Sequence, residues 1–211
     1  MPYGYLGTTP NQQKANSGVF SVEEALALQN VGELGGSLEL IEEQSITSST
    51  ASMIFSSIKE SLYDVHFLQF SNFKPNANNP RLVLRFFESG VEETASVYEY
   101  ALQMGSADGT LSAANSTGAD AIHLGSNQDS AGVDISNGYI YIYNAGNSSK
   151  YTLTTQQITE IYYSGTHYRY YFGGGVLPQA SSVNQIKLFT TTDNIAKLSA
   201  KLYGVKQIWV T

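Results

Sequence analysis

The run Leu198-Ser199-Ala200-Lys201-Leu202-Tyr203-Gly204-Val205 puts Leu198, Ala200 and Leu202 on one side and Ser199 and Lys201 on the other. Successive side chains of a strand point to opposite faces, so this is the period of a strand with one buried side. Gly204 interrupts the alternation where Tyr203 and Val205 would exchange faces, which predicts a bulge or a close backbone approach before the chain runs on to Ile208-Trp209-Val210. Upstream, Asn184 to Thr190 alternates again, Ile186 and Leu188 against Lys187 and Phe189, and the polar turn Thr191-Thr192-Asp193-Asn194 separates the two runs. Two alternating runs joined by a short polar turn predict a terminal hairpin, and a sheet that closes only with its last strand.

Further strands extend outward from there. Ser37-Leu38-Glu39-Leu40-Ile41 continuing through Ser45-Ile46, Ala51 to Phe55, and Leu62 to Phe70 are expected strands, the last apolar on both faces and therefore central. Pro75 and Asn76-Ala77-Asn78-Asn79-Pro80 predict a loop, after which Leu82 to Phe87 resumes the sheet. Val97 to Met104 sets Tyr98, Tyr100, Leu102 and Met104 against Val97, Glu99, Ala101 and Gln103. Residues 105 to 137 are Ser, Ala, Gly, Asn and Asp with few apolar breaks, which predicts a functional loop or an edge of short strands. Tyr139 to Tyr143 alternates, Asn144-Ala145-Gly146-Asn147 turns it, and Tyr151-Thr152-Leu153 returns. Ile158 to Tyr163 and His167 to Phe172, joined at Ser164-Gly165, predict a hairpin that Gly173-Gly174-Gly175 ends. Roughly ten short strands at this spacing predict an all-β fold, a jelly-roll-like antiparallel β-sandwich over residues 37–211.

Composition agrees. The chain has 211 residues, of which 14% are charged and 12% aromatic, with 19 Gly and 15 Tyr. That balance favours pleated, turn-rich structure over helix. With only 11 Lys and Arg and a formal net charge of -7, it lacks the clustered cations that bind phosphate, so nucleic acid is not an expected partner. No run approaches the ~20 apolar residues of a membrane span, and Met1-Pro2-Tyr3-Gly4-Tyr5 has neither the basic start nor the apolar core of an export signal, so a soluble product is expected. With no Cys, disulfides and thiolate metal sites are excluded.

Residues 1 to 20 carry neither period and predict an extended arm. Ser21-Val22-Glu23-Glu24 has the spacing of a capping box, in which hydroxyl and carboxylate satisfy each other's exposed amides. A short helix with apolar residues Val22, Ala25, Leu26 and Leu28 should come next, stopped by Gly32 and Gly35-Gly36. At roughly two to three turns it needs a partner surface. Residues 1–36 are therefore an expected attachment arm, with Tyr3, Tyr5, Val19, Phe20, Val22 and Leu26 as its anchoring side chains.

The residues that carry chemistry do not assemble into a motif. His66, His123 and His167 are far apart and show no metal-ligand spacing, and no Gly-x-Ser-x-Gly elbow holds a nucleophile. Asp108, Asp120, Asp129 and Asp134, interleaved with Asn115 and Asn127, offer oxygen atoms of the kind calcium takes, but their spacing does not match the calcium loop of a helix pair, and a solvated polar loop is the plainer expectation. Glu42-Glu43, Glu92-Glu93 and Glu160 are expected to face solvent. No catalytic residue, cofactor or metal is expected. The tyrosines say more: Tyr139, Tyr141 and Tyr143 line one face of a strand, and Tyr162, Tyr163, Tyr168, Tyr170 and Tyr171 crowd the next hairpin. Such a face either stacks on sugars or a protein partner, with Tyr139, Tyr141, Tyr143, Tyr168 and Tyr170 as the contact residues, or packs across strands within its own sheet.

Two segments resemble a known group of proteins. Ser17-Gly18-Val19-Phe20-Ser21-Val22-Glu23-Glu24-Ala25-Leu26-Ala27-Leu28-Gln29, with its glycine-rich exit into Ser37-Leu38-Glu39-Leu40-Ile41, resembles the N-terminal region of virion proteins from tailed phages of marine bacteria, including cyanophages. Ala200-Lys201-Leu202-Tyr203-Gly204-Val205-Lys206 is similar to the Leu-Tyr-Gly-Ile close of phage tail-fibre and decoration β-domains. The resemblance implies a non-enzymatic virion protein, attached to other virion proteins by its arm, with a β-domain that trimerises, binds a host-surface glycan or protein, or reinforces a shell. The chain lacks the long shaft of a typical tail fibre, which raises capsid decoration beside the tail adsorption apparatus. A free carbohydrate-binding module is the remaining alternative.

Overall fold

The computed structural model describes residues 37–125, 128, 130, 136–162 and 167–206, with Glu23. Residues 1–20, Ser21, Val22 and Glu24 of the capping box, all six anchoring residues and Ile208-Trp209-Val210 lie outside the described residues, as do Tyr163, Asn127, Asp129 and Asp134. The chain divides into two units, Met1–Glu39 and Leu40–Thr211, and the sheets from Leu40 onward belong to the second.

Alternation becomes strand throughout. Thirteen strands are described: β1 Leu38–Ile46, β2 Ser52–Phe55, β3 Val65–Pro75, β4 Leu82–Glu88, β5 Val91–Glu92, β6 Tyr98–Ser106 and β7 Leu111–Ala119 lead. β8 Ile122–His123, β9 Ser136–Tyr143, β10 Tyr151–Ile161, β11 Tyr168–Ala180, β12 Val183–Thr190 and β13 Ile195–Val205 complete the series. They form two antiparallel sheets of a sandwich, one of eight strands in the order β1-β13-β3-β9-β10-β11-β6-β7 and one of five built on β2-β12-β4-β5, with β8 beside β4. The all-β sandwich is the expected fold.

The core lies where the inward faces meet. Leu68 and Phe70 of β3, Ile140 and Ile142 of β9, Leu84 and Phe86 of β4, and Leu198 and Leu202 of β13 are each at most 2% exposed. Tyr98, wholly buried, reaches across from β6, its hydroxyl accepting from the Phe86 amide at 3.0 Å and donating to the Glu93 carbonyl at 3.2 Å. A buried phenol keeps its place only when its oxygen is bonded in this way. β3 is central as expected, between β13 and β9, but it runs on through Pro75 instead of breaking before it.

Two expectations are overturned, and at Gly204 one of two alternatives is met. β12 and β13 are not a hairpin: β12 pairs with β2 and β4 in the small sheet, and β13 pairs with β3 in the large one. The Thr191–Asn194 link crosses between sheets, held by Thr191 N donating to the Arg81 carbonyl at 3.0 Å and by the two bonds between Thr50 and Ile195. A four-residue polar link serves a crossover as well as a turn, so its composition does not separate the two. Gly204 is no bulge, since the register shifts in β13 fall between Ile195 and Ser199. It is instead the expected close approach, because the Tyr63 ring lies where a Cβ would stand. Gly173-Gly174-Gly175 does not end a strand; the three sit inside β11, paired with β10 and β6 on either side. The small-residue region after Gly105 takes the edge form, β7 pairing with β6 at the end of the large sheet.

Candidate functional site

Cross-strand register decides which aromatic residues share a surface. On β9, Ile140 and Ile142 point into the core, so Tyr139, Tyr141 and Tyr143 stand on the outer face of the large sheet. On β11, buried Tyr171 fixes Tyr168, Tyr170 and Phe172 on that same outer face. All five tyrosines singled out as contact residues are thus brought to one face, on two strands with β10 between them.

They are not equivalent there. Phe67 of β3 packs against Tyr141 at 4.9 Å between ring centroids, Tyr139 at 5.8 Å and Tyr203 of β13 at 6.0 Å, and Tyr143 lies against Tyr141 at 6.3 Å. Tyr141 and Tyr143 are half-buried in this ladder, the cross-strand packing that stabilises a sheet. Tyr170 is half-buried too, its ring spread over Gly105 and stacked against Phe172. On these two strands the described rings left open are Tyr139, Tyr168 and Phe172, with 37%, 47% and 53% of their surface exposed, and on β10 Tyr151 is 51% exposed. Tyr139 borders a shallow depression of about 520 Å³ lined also by Phe67, Gln69, Asn137, Gln157 and Thr159, none of them ionisable. A second, of about 490 Å³, lies over Ala101 and Gly174, where β6 and β11 carry little side chain. Phe172 and the glutamines were not among the residues the sequence singled out; the parity of Tyr168, Tyr170 and Phe172 was the available signal.

The ionisable residues do other work. Glu160 is 2% exposed, contrary to expectation, because β10 turns Thr152, Thr154, Gln156 and Glu160 inward. Its carboxylate accepts from Gln128 Nε2, and Gln128 Oε1 accepts from the Ser136 hydroxyl. Glu92 is held by Arg85 at 3.0 Å and Lys187 at 2.9 Å, and Asp120 by Arg85. Burial works against the charge on Glu92, but the bonds from Lys187 and Arg85 outweigh it and keep its carboxyl below the ordinary range. Glu43 pairs with Lys201 at 3.3 Å, and Glu42 accepts from Gln44. Asp108 caps its own turn through the Thr110 amide, and that bond draws its carboxyl down to about 2. Among the described residues no group of three or more His, Asp or Glu is placed to hold a metal ion.

Two histidines are packing elements. His66 is wholly buried, donating from Nε2 to the Ile58 carbonyl at 2.8 Å, and burial lowers its pKa. His123 stacks on Tyr100 at 4.6 Å; its Nδ1 faces the Tyr100 hydroxyl at 3.0 Å and Arg81 at 3.4 Å. Arg81 can only donate, so Nδ1 is an acceptor and the ring neutral. Burial first and Arg81 second push its pKa down to about 4. The unfolded chain therefore binds protons below about pH 6.5 that the folded chain refuses, and stability is lost as pH falls from 6.5 toward 4. Melting temperature should fall steeply across that window, and His123→Gln should flatten the slope; a flat profile for the parent chain would contradict both assignments. His167 is exposed.

Compared with known proteins, the chain matches no family model, no curated protein and no solved structure.

Proposed function

We propose that the chain is a non-enzymatic structural protein of a tailed-phage particle, sited in the tail adsorption apparatus as a homotrimer. Residues 1–36 attach it to other virion proteins, and the sandwich presents its outer aromatic face to a host surface. The observation that carries this reading is that face: Tyr139, Tyr168 and Phe172 stand open on it, Tyr139 among uncharged polar side chains, while Tyr141, Tyr143 and Tyr170 are half-buried beside them. A contiguous exposed apolar patch rimmed by polar residues is a mark of an interaction surface. Capsid decoration is a second reading, favoured by β7, a nine-residue edge strand with no charged residue and no proline to blunt it.

Quantitative mass spectrometry of purified particles tests both. A few copies per particle support the tail site, and a copy number that scales with the shell supports decoration. A chain lacking residues 1–36 should be left out of particles while the sandwich stays soluble and β-rich by circular dichroism. Incorporation at the full-length level would show that the arm is not the anchor.

A further inference from the structure

One line of side chains crosses the outer face from strand to strand. Gln69 of β3 stands opposite Tyr139 of β9, Tyr139 opposite Gln157 of β10, Gln157 opposite Phe172 of β11, and Phe172 opposite Gln103 of β6. Residues directly opposite in a ladder share a face. All five side chains are exposed, and they alternate amide, ring, amide, ring, amide. Neighbouring strands lie ~4.8 Å apart, so the two rings stand roughly 10 Å from each other with an amide midway.

We propose that this row binds a linear, uncharged glycan lying across the strands, with alternate sugars over Tyr139 and Phe172 and their hydroxyls bonded to Gln69, Gln157 and Gln103. One sugar of an extended chain is about as long as one strand spacing, so every second ring of the ligand meets an aromatic platform. The apolar C–H face of a sugar matches an aromatic ring, which buries large area at small entropic cost. Sugar hydroxyls both donate and accept, and the amides supply both roles. Gln157 Oε1 accepts from the Tyr139 hydroxyl at 2.9 Å, which leaves its NH₂ to donate. Gln103 Nε2 donates to the Ser112 carbonyl at 3.0 Å, which leaves its oxygen to accept.

Charge selects against acidic glycans. The row holds no cation; Lys201, next beyond Gln69, is already paired with Glu43, and the chain's net charge of -7 repels polyanions. A packed second copy of the chain would have to meet three amides with fixed partners of its own, whereas hydroxyl groups rotate to suit.

The inference rests on the reading of the sandwich as a host-contact module. Its test is the full-length chain on an array of linear neutral oligosaccharides and of uronate and sulfated chains, the best neutral binder then titrated by calorimetry. Binding should be confined to neutral chains of roughly three units or more, the length that spans both rings. Phe172→Ala and Gln157→Ala should each weaken it about tenfold or more without moving the melting temperature, since both side chains are exposed. Binding to no neutral glycan, binding to acidic ones alone, or variants that bind like the parent would overturn the site. So would sedimentation in which Phe172→Ala turns an oligomer into a monomer, because the face would then be a joint between copies. Particles that contain the chain while it binds no glycan sink this inference alone, and glycan binding by a chain never found in particles sinks the virion reading alone.

Discussion

A chain that stops at Thr190 loses its cooperative fold. The deletion removes β13, which lies between β1 and β3 and carries Ile195, Leu198 and Leu202 with no exposed surface and Ala200 with 1%. Burying a large aliphatic side chain is worth ~1.5–3 kcal/mol, so those three contribute roughly 5–9 kcal/mol. A domain's whole stability is about 5–15 kcal/mol. The deletion also strips the ladder from Val65 to Pro75 of its partner, leaving an interior strand with one unpaired edge in the middle of the sheet. Circular dichroism should show no sigmoidal thermal transition for the truncated chain. Leu202→Ala in the full chain, at a cost of about 2–5 kcal/mol, should still melt cooperatively at a lower temperature. A truncated protein with a sharp transition near the parent's would show that β13 is an addition to the core and not its closure.

How much of the fold was legible depends on the information that period two encodes. Alternation names the faces of a strand but not its neighbour. β13, β9 and β6 were readable because their apolar residues all point one way: Leu198, Ala200 and Leu202; Ile140 and Ile142; Tyr98, Leu102 and Met104. The partner of β12 was not readable, since the same link fits a turn within a sheet or a step between sheets. β10 is the harder case, because its code is inverted. Tyr151 and Leu153 face out at 51% and 44% exposure, while Thr152 and Thr154 face in at 0% and 4%. Bonds meet part of this buried polar set: Thr154 Oγ1 accepts from the Gly175 amide at 2.9 Å and Gln156 Nε2 donates to the His123 carbonyl at 2.7 Å, while the Thr152 hydroxyl is buried with no hydrogen-bond partner among the described residues. Both partners are remote in the chain, so nothing in the local pattern announces them.

The contact face divides in the same manner. That Tyr139, Tyr141 and Tyr143 share a side is a property of one strand and was plain. Which of them stays open depends on Phe67, a residue of β3 that fills the space beside Tyr141. The row from Gln69 to Gln103 needs the register of five strands at once. A glutamine read alone is only a polar residue on a solvent face; it acquires a role from the ring set opposite.

Gly173→Ala should destabilise the domain by about 3 kcal/mol or more, an effect second to the loss of β13. Two causes act together. Gly173 has φ +153°, a conformation that residues with a side chain rarely adopt. An added Cβ would also lie inside contact distance of the Ala101 carbonyl oxygen and 3.0 Å from Leu102 Cα. Those atoms belong to the backbone of β6, which is paired with Gly173 and Gly174, so they can withdraw only by opening the β6–β11 ladder. Gly109→Ala separates the causes. Gly109, in the turn between β6 and β7, has φ +88° and nothing within 4 Å of the position a Cβ would take. It should therefore show the conformational cost alone, roughly 1–2 kcal/mol. Urea denaturation of the two variants beside the parent measures both terms. If Gly173→Ala costs no more than Gly109→Ala, the strands around β11 can move apart freely, and the glycine run is not what allows three backbones to close up at the centre of the large sheet.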